Sequence, residues 1–230
     1  MLEGQFYLPK TYDLIAVFLF AITGAIVAYR KDYDYIGLFA LALAVGAGGG
    51  IIRDGVFLQQ IPVFVTDWRY LAVVLAAGFL VILAGERIMS ADPLFIVADA
   101  IGLGLYAVVG AQKSVNIGIA VLGAGLIGVI NAIGGGLLRD IMSGEEPYVV
   151  QSGGQVYTLA AVFGVTVFLA LGVGAKLSAQ LSALIAIGVA FLSRIIFMIF
   201  DVRTHPVRSH AARAIVKRKA HTLKRRKTRP

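Results

Sequence analysis

Cysteine is absent from this chain of 230 residues, and histidine occurs only three times, always after position 200. Without cysteine there is no disulfide framework, no thiol nucleophile and no cysteine metal site. His205, His210 and His221 all lie in the tail, and no nucleotide-binding loop or nucleophile elbow is found in the sequence. We therefore expect a protein that is not an enzyme and that carries neither a metal nor a cofactor.

Charged residues are scarce as well, and they are distributed unevenly. They make up 15% of the chain, whereas apolar residues make up 59% and the mean hydropathy is +0.85. A water-soluble domain is about 45–50% apolar, so a lipid bilayer is the expected solvent. Eleven of the 21 lysines and arginines follow position 200. Such a tail could bind nucleic acid, but it is typical of a cytoplasmic end, and we expect no nucleic-acid partner.

Seven apolar segments are long enough to cross a bilayer core of about 30 Å as helices. Polar and turn residues separate them, for example Arg30-Lys31-Asp32 and Gly85-Glu86-Arg87. The predicted segments are 12–29, 35–58, 68–84, 94–113, 117–142, 155–174 and 180–200. No cleavage site precedes Arg30, so the first segment is interpreted as a retained helix. The sequence predicts an all-α transmembrane domain over 1–202 and a disordered basic tail over 203–230.

The basic residues also predict how the chain is oriented in the cell membrane. The short loops carry nearly equal numbers of basic residues on the two sides, so the tail decides the assignment. One side holds Arg30, Lys31, Arg87 and the tail, and the other holds Lys10, Arg69, Lys113 and Lys176. The N-terminus is then outside and the C-terminus cytoplasmic.

An internal repeat relates the two halves of the chain with an offset of 86 residues. Under this offset Gly48-Gly49-Gly50-Ile51-Ile52-Arg53-Asp54 matches Gly134-Gly135-Gly136-Leu137-Leu138-Arg139-Asp140, and Asp13 matches Asp99. Each unit contains three helices, an odd number, so the second unit must enter the membrane from the opposite side. We predict two inverted repeats, 12–84 and 94–174, followed by a seventh helix over 180–200.

The glycine triplets Gly48–Gly50 and Gly134–Gly136 lie within the second and fifth predicted helices. Each glycine costs about 1 kcal/mol of helix propensity relative to alanine, so the helix could bend or unwind there. Non-helical backbone at membrane depth must face a cavity, where freed carbonyl groups would attract cations. The alternative is close packing of helices through small residues.

An arginine and an aspartate follow each triplet at Arg53-Asp54 and Arg139-Asp140. A charge facing lipid would cost at least about 2.5–3.5 kcal/mol, so both pairs should face the interior. The predicted orientation places the first pair in the outer half and the second in the inner half, one in each vestibule of an hourglass. The aspartates would attract a cation, while the arginines could equally brace neighbouring helices.

Five more polar residues are possible members of a pathway or possible braces. Asp13 and Asp99 occupy equivalent helix starts, where capping of the helix or lining of a pore are the two readings. Lys113 would extend to the membrane interface. Arg194 would pair with an aspartate of the inner half, Asp99 or Asp140. Asn131, like Thr23, would form hydrogen bonds between helices.

These paired motifs, at this spacing within three plus three plus one helices, resemble the prokaryotic branch of the trimeric intracellular cation channel family. Related sequences have also been grouped as glycine-transporter-like. The resemblance covers about residues 12–200 and implies a homotrimer in membrane lipid, with a potassium or sodium pore inside each protomer. The positions that it assigns to the ion pathway are Gly48, Gly49, Gly50, Arg53, Asp54, Gly134, Gly135, Gly136, Arg139 and Asp140.

One element of the family is missing. Animal members carry a Lys-Glu-Val lipid-binding element in the fourth helix, where this chain has Gly-Ala-Gln-Lys-Ser. Three functions remain open from the residues: a passive cation channel, a carrier of a small zwitterion such as glycine, and a structural protein without a pathway. Inverted repeats with broken helices are typical of carriers, so the second function is kept as the alternative.

Overall fold

The computed structural model describes residues 6–89, 92–150 and 157–202, and within these ranges the secondary structure is helical, without a strand. Its helices are α1 Lys10–Arg30, α2 Tyr35–Ile51, α3 Val63–Thr66, α4 Trp68–Ala84, α5 Glu86–Met89, α6 Asp92–Asn116, α7 Val121–Ser143, α8 Tyr157–Leu169 and α9 Ala179–Ile199. π-helical turns extend α2 over Ile52–Phe57 and α8 over Ala170–Gly174. Six helices, counting these extensions, are long and apolar enough to span a membrane, and α4 is a shorter apolar helix.

The distribution of polarity is the reverse of that in a water-soluble protein. Large apolar side chains point outward, with Leu83 86%, Leu122 80% and Ile199 73% exposed. Arg53 and Arg139 are each only 2% exposed. Lipid tolerates an apolar exterior, whereas a charge facing lipid is costly, so this arrangement fits a bilayer as the solvent.

The helices form two groups of three that pack against each other. In the first group α1 packs against α2 and α4, and in the second α6 packs against α7 and α8. The groups meet through α1 with α6 and α2 with α7, and α9 packs on α8 and α6. Asp13 contacts Lys113, and seven residues further along α1 Phe20 contacts Tyr106. The contacts move toward the C-terminus along α1 and toward the N-terminus along α6, so these two helices are antiparallel.

The described helices agree closely with the predicted apolar segments, with two kinds of difference. Residues 117–120 were predicted to begin the fifth segment, but α7 starts at Val121 because Gly118, at a φ of 86°, turns the chain out of helical geometry. The short helices α3 and α5 occupy stretches that the sequence predicted as breaks. The tail at 203–230 with its histidines, and residues 155 and 156 of the sixth segment, lie outside the described residues.

Candidate functional site: two charged networks and a polar cavity

The first charged network consists of Asp13, Arg53, Asp54 and Lys113. Arg53 donates to Asp54 through Nε at 2.7 Å and through Nη2 at 3.0 Å. The same guanidinium reaches the two Asp13 oxygens at 3.4 and 3.5 Å. Lys113 Nζ lies 3.1 Å from Asp13 Oδ2 and 3.6 Å from Asp54 Oδ1. The Tyr70 hydroxyl donates to Asp13 at 3.1 Å, so side chains from α1, α4, α6 and the π-helical turn after α2 meet here.

The second charged network consists of Asp99, Arg139, Asp140 and Arg194. Arg139 Nε donates to Asp140 Oδ1 at 3.0 Å, and its Nη1 donates to Asp99 Oδ1 at 2.9 Å. Arg194 Nη2 is 4.0 Å from Asp99 Oδ2. The Arg194 guanidinium also lies 4.7 Å from the ring centre of Tyr157. This network therefore joins α6, α7 and α9, with an aromatic ring from α8.

The two networks are built from equivalent positions. Their aspartates and first arginines are related by the offset of 86 residues, and each arginine connects the first two helices of its own group. The remaining cation comes in each case from the helix that follows the group, Lys113 from α6 and Arg194 from α9. Each network thus holds two carboxylates and two cations, so that burial leaves no net formal charge, as a low-dielectric interior requires.

Asp54 and Asp140, the two motif aspartates, also bind the backbone of the loops that follow their helices. Asp54 Oδ2 accepts from the backbone N–H of Val63 at 3.2 Å, nine residues later. Asp140 Oδ2 accepts from the backbone N–H of Tyr148 at 3.1 Å, eight residues later. Each carboxylate therefore orients both an arginine and a loop.

A polar cavity of about 260 Å³ borders the first network. Apolar side chains line much of it, and the polar side chains for which we name it are Tyr7, Lys10, Asp13, Gln60, Tyr70, Gln112, Lys113 and Asn116. The Lys113 side chain is 26% exposed, whereas that of Arg53 is 2% exposed. Water in the cavity therefore reaches Lys113, while Arg53 lies deeper.

A narrow void lies next to the polar cavity, on the side of Arg53 and Tyr106. It has a volume of about 10 Å³ and shares Asp13 and Tyr70 with the polar cavity. Arg53, Asp54 and Tyr106 line it further in. A space of this size is close to the smallest that holds one water molecule. Asp13 thus faces the open cavity, and Asp54 faces the constricted part.

The glycine triplets form the contact between α2 and α7, and they do not unwind. Both helices continue through their triplets. A Cβ on Gly49 would lie 2.6 Å from the Asn131 carbonyl oxygen, and one on Gly135 would lie 2.6 Å from the Val45 carbonyl oxygen. These are the same contact in the two halves, since Val45 and Asn131 are 86 residues apart. The expected unwinding of the triplets is not found. Gly49 and Gly135 serve close helix packing, the alternative reading, whereas Gly50 lines a small void beside Arg53, as the cavity reading expected.

The last glycine of each triplet lies beside the arginine that follows it, at a distance where a Cβ would make an ordinary contact. A Cβ on Gly50 would lie 3.6 Å from Arg53 Nη2, and one on Gly136 would lie 3.8 Å from Arg139 Nη2. In the first half the irregular backbone begins just after the triplet, at the π-helical turn Ile52–Phe57. In the second half α7 stays regular as far as Ser143.

Asp13, Asp99 and Lys113 brace neighbouring helices, one of the two roles expected of them, and the more local roles considered for each are not found. Asp13 does not cap α1, which has no side-chain cap, because its carboxylate is held by Arg53, Lys113 and Tyr70. Asp99 lies well inside α6, which begins at Asp92, and binds Arg139. Lys113 does not extend to the membrane interface, since its ammonium binds two buried carboxylates.

The remaining single residues divide into two confirmed predictions and one error. Arg194 pairs with Asp99, one of its two predicted partners. Asn131 Nδ2 donates to the Tyr106 carbonyl oxygen at 2.6 Å and so joins α7 to α6. Thr23 instead donates to the Phe20 carbonyl oxygen at 2.8 Å within its own helix.

Sequence reasoning missed three tyrosines at the site. Tyr70 binds Asp13, Tyr106 lines the narrow void, and Tyr157 packs on Arg194. Tyr106 is equivalent to Phe20 under the offset of 86 residues, so comparison of the repeats for aromatic residues would have found it. Tyr70 and Tyr157 are 87 residues apart, one residue out of register, and an ungapped comparison does not align them.

Apolar helices that enclose buried ion pairs define an integral membrane protein. The model of the glycine transporter family matches residues 10–86 and 96–173, and the chain belongs to this family. A UPF0126 membrane protein of Deinococcus radiodurans is 36% identical over 152 residues, which cover 66% of this chain and 71% of the relative. The UPF0126 inner membrane protein YadS of Escherichia coli K12 is 31% identical over 154 residues, 66% of this chain and 73% of the relative.

Solved structures with the same fold are trimeric intracellular cation (TRIC) channels. The TRIC orthologue from Rhodobacter sphaeroides is 31% identical, has a TM-score of 0.77, and the match covers 84% of this chain and 97% of that one. A second TRIC cation channel, whose structure explains conductance, is 25% identical with a TM-score of 0.78, covering 89% and 99%. The resemblance predicted from the paired motifs is confirmed, and these relatives are described as membrane proteins or channels.

Proposed function

We propose that this protein is a channel for monovalent cations, potassium or sodium, with an hourglass pathway inside each protomer. The observation that carries the proposal is the similarity in fold, over most of the chain, to TRIC cation channels. The polar cavity supports it, because this space leads from the surface to buried carboxylates. In this proposal Asp13 and Asp54 attract the cation on one side, and Asp99 and Asp140 do so on the other.

Two inverted repeats, 12–84 and 94–174, with 180–200 as the seventh helix, are part of the proposal. Antiparallel packing of the equivalent helices α1 and α6 supports it, and so does the matching contact of Gly49 and Gly135 in α2 and α7. The glycine triplets let α2 and α7 cross closely, and the two arginines hold the carboxylates in place beside the pathway. The charged networks would then lie at opposite ends of one route.

The assembly and the orientation are proposed on separate grounds. A homotrimer follows from the TRIC neighbours, which are described as trimeric. The basic residues after position 200 support a cytoplasmic C-terminus and an outside N-terminus, with 1–202 as the channel domain and 203–230 as a cytoplasmic tail. The polar cavity, which is lined by Lys10 near the start of α1, then opens to the outside.

A carrier for a small zwitterion such as glycine is the second candidate. The polar cavity favours it, because Lys113 and Asp13 could hold the carboxylate and the ammonium of one amino acid. The description of the family model points the same way. Both cavity groups are already paired with each other at 3.1 Å, however, and a zwitterion would have to displace that pair.

Flux into liposomes separates the two candidates. Purified protein is reconstituted, and entry of thallium ion, as a substitute for potassium, is measured beside uptake of labelled glycine. A channel gives rapid thallium entry that glycine does not inhibit. Saturable glycine uptake without thallium entry would contradict the channel and support the carrier. The control variant is Asp34→Asn, which should behave like the unaltered protein in both assays. Asp34 is exposed, lies outside both networks and accepts a hydrogen bond from the Gly37 backbone.

A further inference from the structure

Phe20 of α1 and Tyr106 of α6 face each other in the interior of the bundle. Their ring centres are 5.1 Å apart, the rings are inclined by only 24°, and both residues are fully buried. The two positions are equivalent under the offset of 86 residues. Equivalent positions touch each other only where the two halves adjoin, so this pair marks the centre of the molecule.

The aromatic pair lies midway between the two charged networks. Phe20 is seven residues from Asp13 along α1, and Tyr106 is seven residues from both Lys113 and Asp99 along α6. At 1.5 Å per residue, each of these separations is about 10 Å along the helix. The direct route between the networks therefore runs past the two rings.

The space available to a cation decreases toward the aromatic pair. The polar cavity measures about 260 Å³ beside Lys113, and the void that Tyr106 lines measures about 10 Å³. A cation with even a partial hydration shell needs more room than one water molecule. The route is thus wide at the first network and constricted where it reaches the Tyr106 ring.

The two rings are held in different ways. Phe20 is confined by glycines, because a Cβ on Gly102 would lie 3.0 Å from its ring and one on Gly135 would lie 3.1 Å from it. The Tyr106 side chain is held by one hydrogen bond, from its hydroxyl to the Gly46 carbonyl oxygen of α2. Phe20 is confined along its ring, whereas Tyr106 is the ring whose polar end is anchored by a single hydrogen bond.

On the basis of the proposed cation pathway, we propose that Tyr106 is its gate and that Phe20 is the surface against which it closes. The pathway opens when the Tyr106 hydroxyl leaves the Gly46 carbonyl group and the ring turns away from Phe20. This movement joins the narrow void to the second half of the molecule. It also exposes the Gly46 carbonyl oxygen, the kind of ligand that replaces water around potassium in selectivity filters.

The absence of cysteine makes a direct test possible. Val17 lines the narrow void, and Leu103 is its equivalent in the second half, between Tyr106 and Asp99. Val17→Cys and Leu103→Cys are introduced separately and exposed in sealed vesicles to silver ion, a thiol-reactive cation similar in size to potassium. Modification is read from the mass of the protein after the remaining thiols are labelled, so the measurement does not depend on current.

We expect silver applied from the side of the polar cavity to modify Val17→Cys at least tenfold faster than Leu103→Cys. Adding Tyr106→Ala should raise the rate at Leu103→Cys at least tenfold. Tyr106→Phe keeps the ring but loses the hydrogen bond, and it should give a smaller increase of about threefold. Phe168→Ala is the control, since Phe168 is equally buried but packs on Phe6.

The proposal that Tyr106 is a gate would be overturned if neither Tyr106 variant changed the rate at which silver modifies Leu103→Cys. An equal increase in that rate with Phe168→Ala would also overturn it. Should Tyr106→Ala fail to fold, Tyr106→Phe and Phe20→Leu decide the question by the same rates. Failure of the channel proposal would give a different result. Silver would then modify Leu103→Cys in the Tyr106 variants, but neither these variants nor the unaltered protein would admit thallium in the liposome assay.

Discussion

The two charged networks have the same acidic and arginine positions, but they differ in their access to water. The first borders a polar cavity, its second cation is the partly exposed Lys113, and its α2 ends in a π-helical turn. The second is closed over by Arg194, whose side chain is 7% exposed, and by the rings of Tyr157 and Phe95. Among the described residues, the first network is therefore the accessible end and the second is the sealed end.

The difference between the ends shows which residues a repeat leaves free to vary. Arginine and aspartate at equivalent positions are needed at both ends, since each is the other's counter-ion in a low-dielectric interior. The fourth member of each network lies outside the motif, and it differs between the two networks. It is Lys113 in the first network and Arg194 in the second. A lysine at the cavity keeps a compact, hydrated charge, whereas an arginine stacks on an aromatic ring in a dry site.

Removing the first arginine of each network should have the largest effect. Arg139→Met and Arg53→Met each leave two buried carboxylates with one cation, which typically costs about 3–5 kcal/mol of stability. We expect Arg139→Met to be the more severe, because cavity water can solvate the carboxylates of the first network. Thermal unfolding in detergent measures both variants, with the exposed Arg69→Met as the control. Equal losses at the two ends would show that cavity water does not distinguish them.

Replacing the fourth member of each network should have a smaller and more asymmetric effect. Lys113→Met also leaves two buried carboxylates with one cation, but water in the cavity can solvate them, so its cost should fall below the range of about 3–5 kcal/mol that is typical of a buried pair. Arg194→Met removes a buried cation and its contact with Tyr157, so its loss of stability should exceed that of Lys113→Met. The same unfolding assay ranks the two, and the reverse ranking would contradict the assignment of accessible and sealed ends.

The smallest change in stability is expected for variants at the starts of α2 and α7. The Asp34 side chain caps α2 by accepting from the Gly37 N–H at 2.7 Å, whereas Ala120, its equivalent, provides no side-chain cap for α7. Asp34→Ala should destabilise the protein by about 1 kcal/mol, and Ala120→Asp should stabilise it by a similar amount. Opposite shifts in unfolding temperature are the expected result. Shifts of the same sign would show that the two helix starts are not comparable.

The sequence predicted the seven apolar helices well because the length of an apolar run directly reflects the thickness of a bilayer. It also identified most of both networks, because the offset of 86 residues aligns their aspartates and arginines. Asp13 and Asp99 were open to a second reading, since a carboxylate near a helix start can cap or pair, and the choice depends on an arginine 40 residues away. Contacts at such distances along the chain follow from packing.

The glycine triplets and the tyrosines show the same limit. Three glycines weaken a helix in isolation, but the close contact of Gly49 with Asn131 stabilises this one, and only the partner helix reveals that. Tyr70 and Tyr157 are displaced by one residue between the repeats. Their hydroxyl groups differ too, as Tyr70 donates to Asp13 while the Tyr157 hydroxyl has no hydrogen-bond partner among the described residues.

The central claim, that the two networks flank one cation pathway, is tested most directly by single-channel recording of Asp54→Asn and Asp140→Asn. In symmetric potassium chloride, Asp54→Asn should reduce current entering from the polar cavity more than current in the other direction, and Asp140→Asn should do the reverse. The asymmetry should fade as salt rises, because the Debye length falls from about 30 Å at 0.01 M to about 3 Å at 1 M. Equal loss in both directions at every salt concentration would contradict the account and leave the aspartates as structural braces.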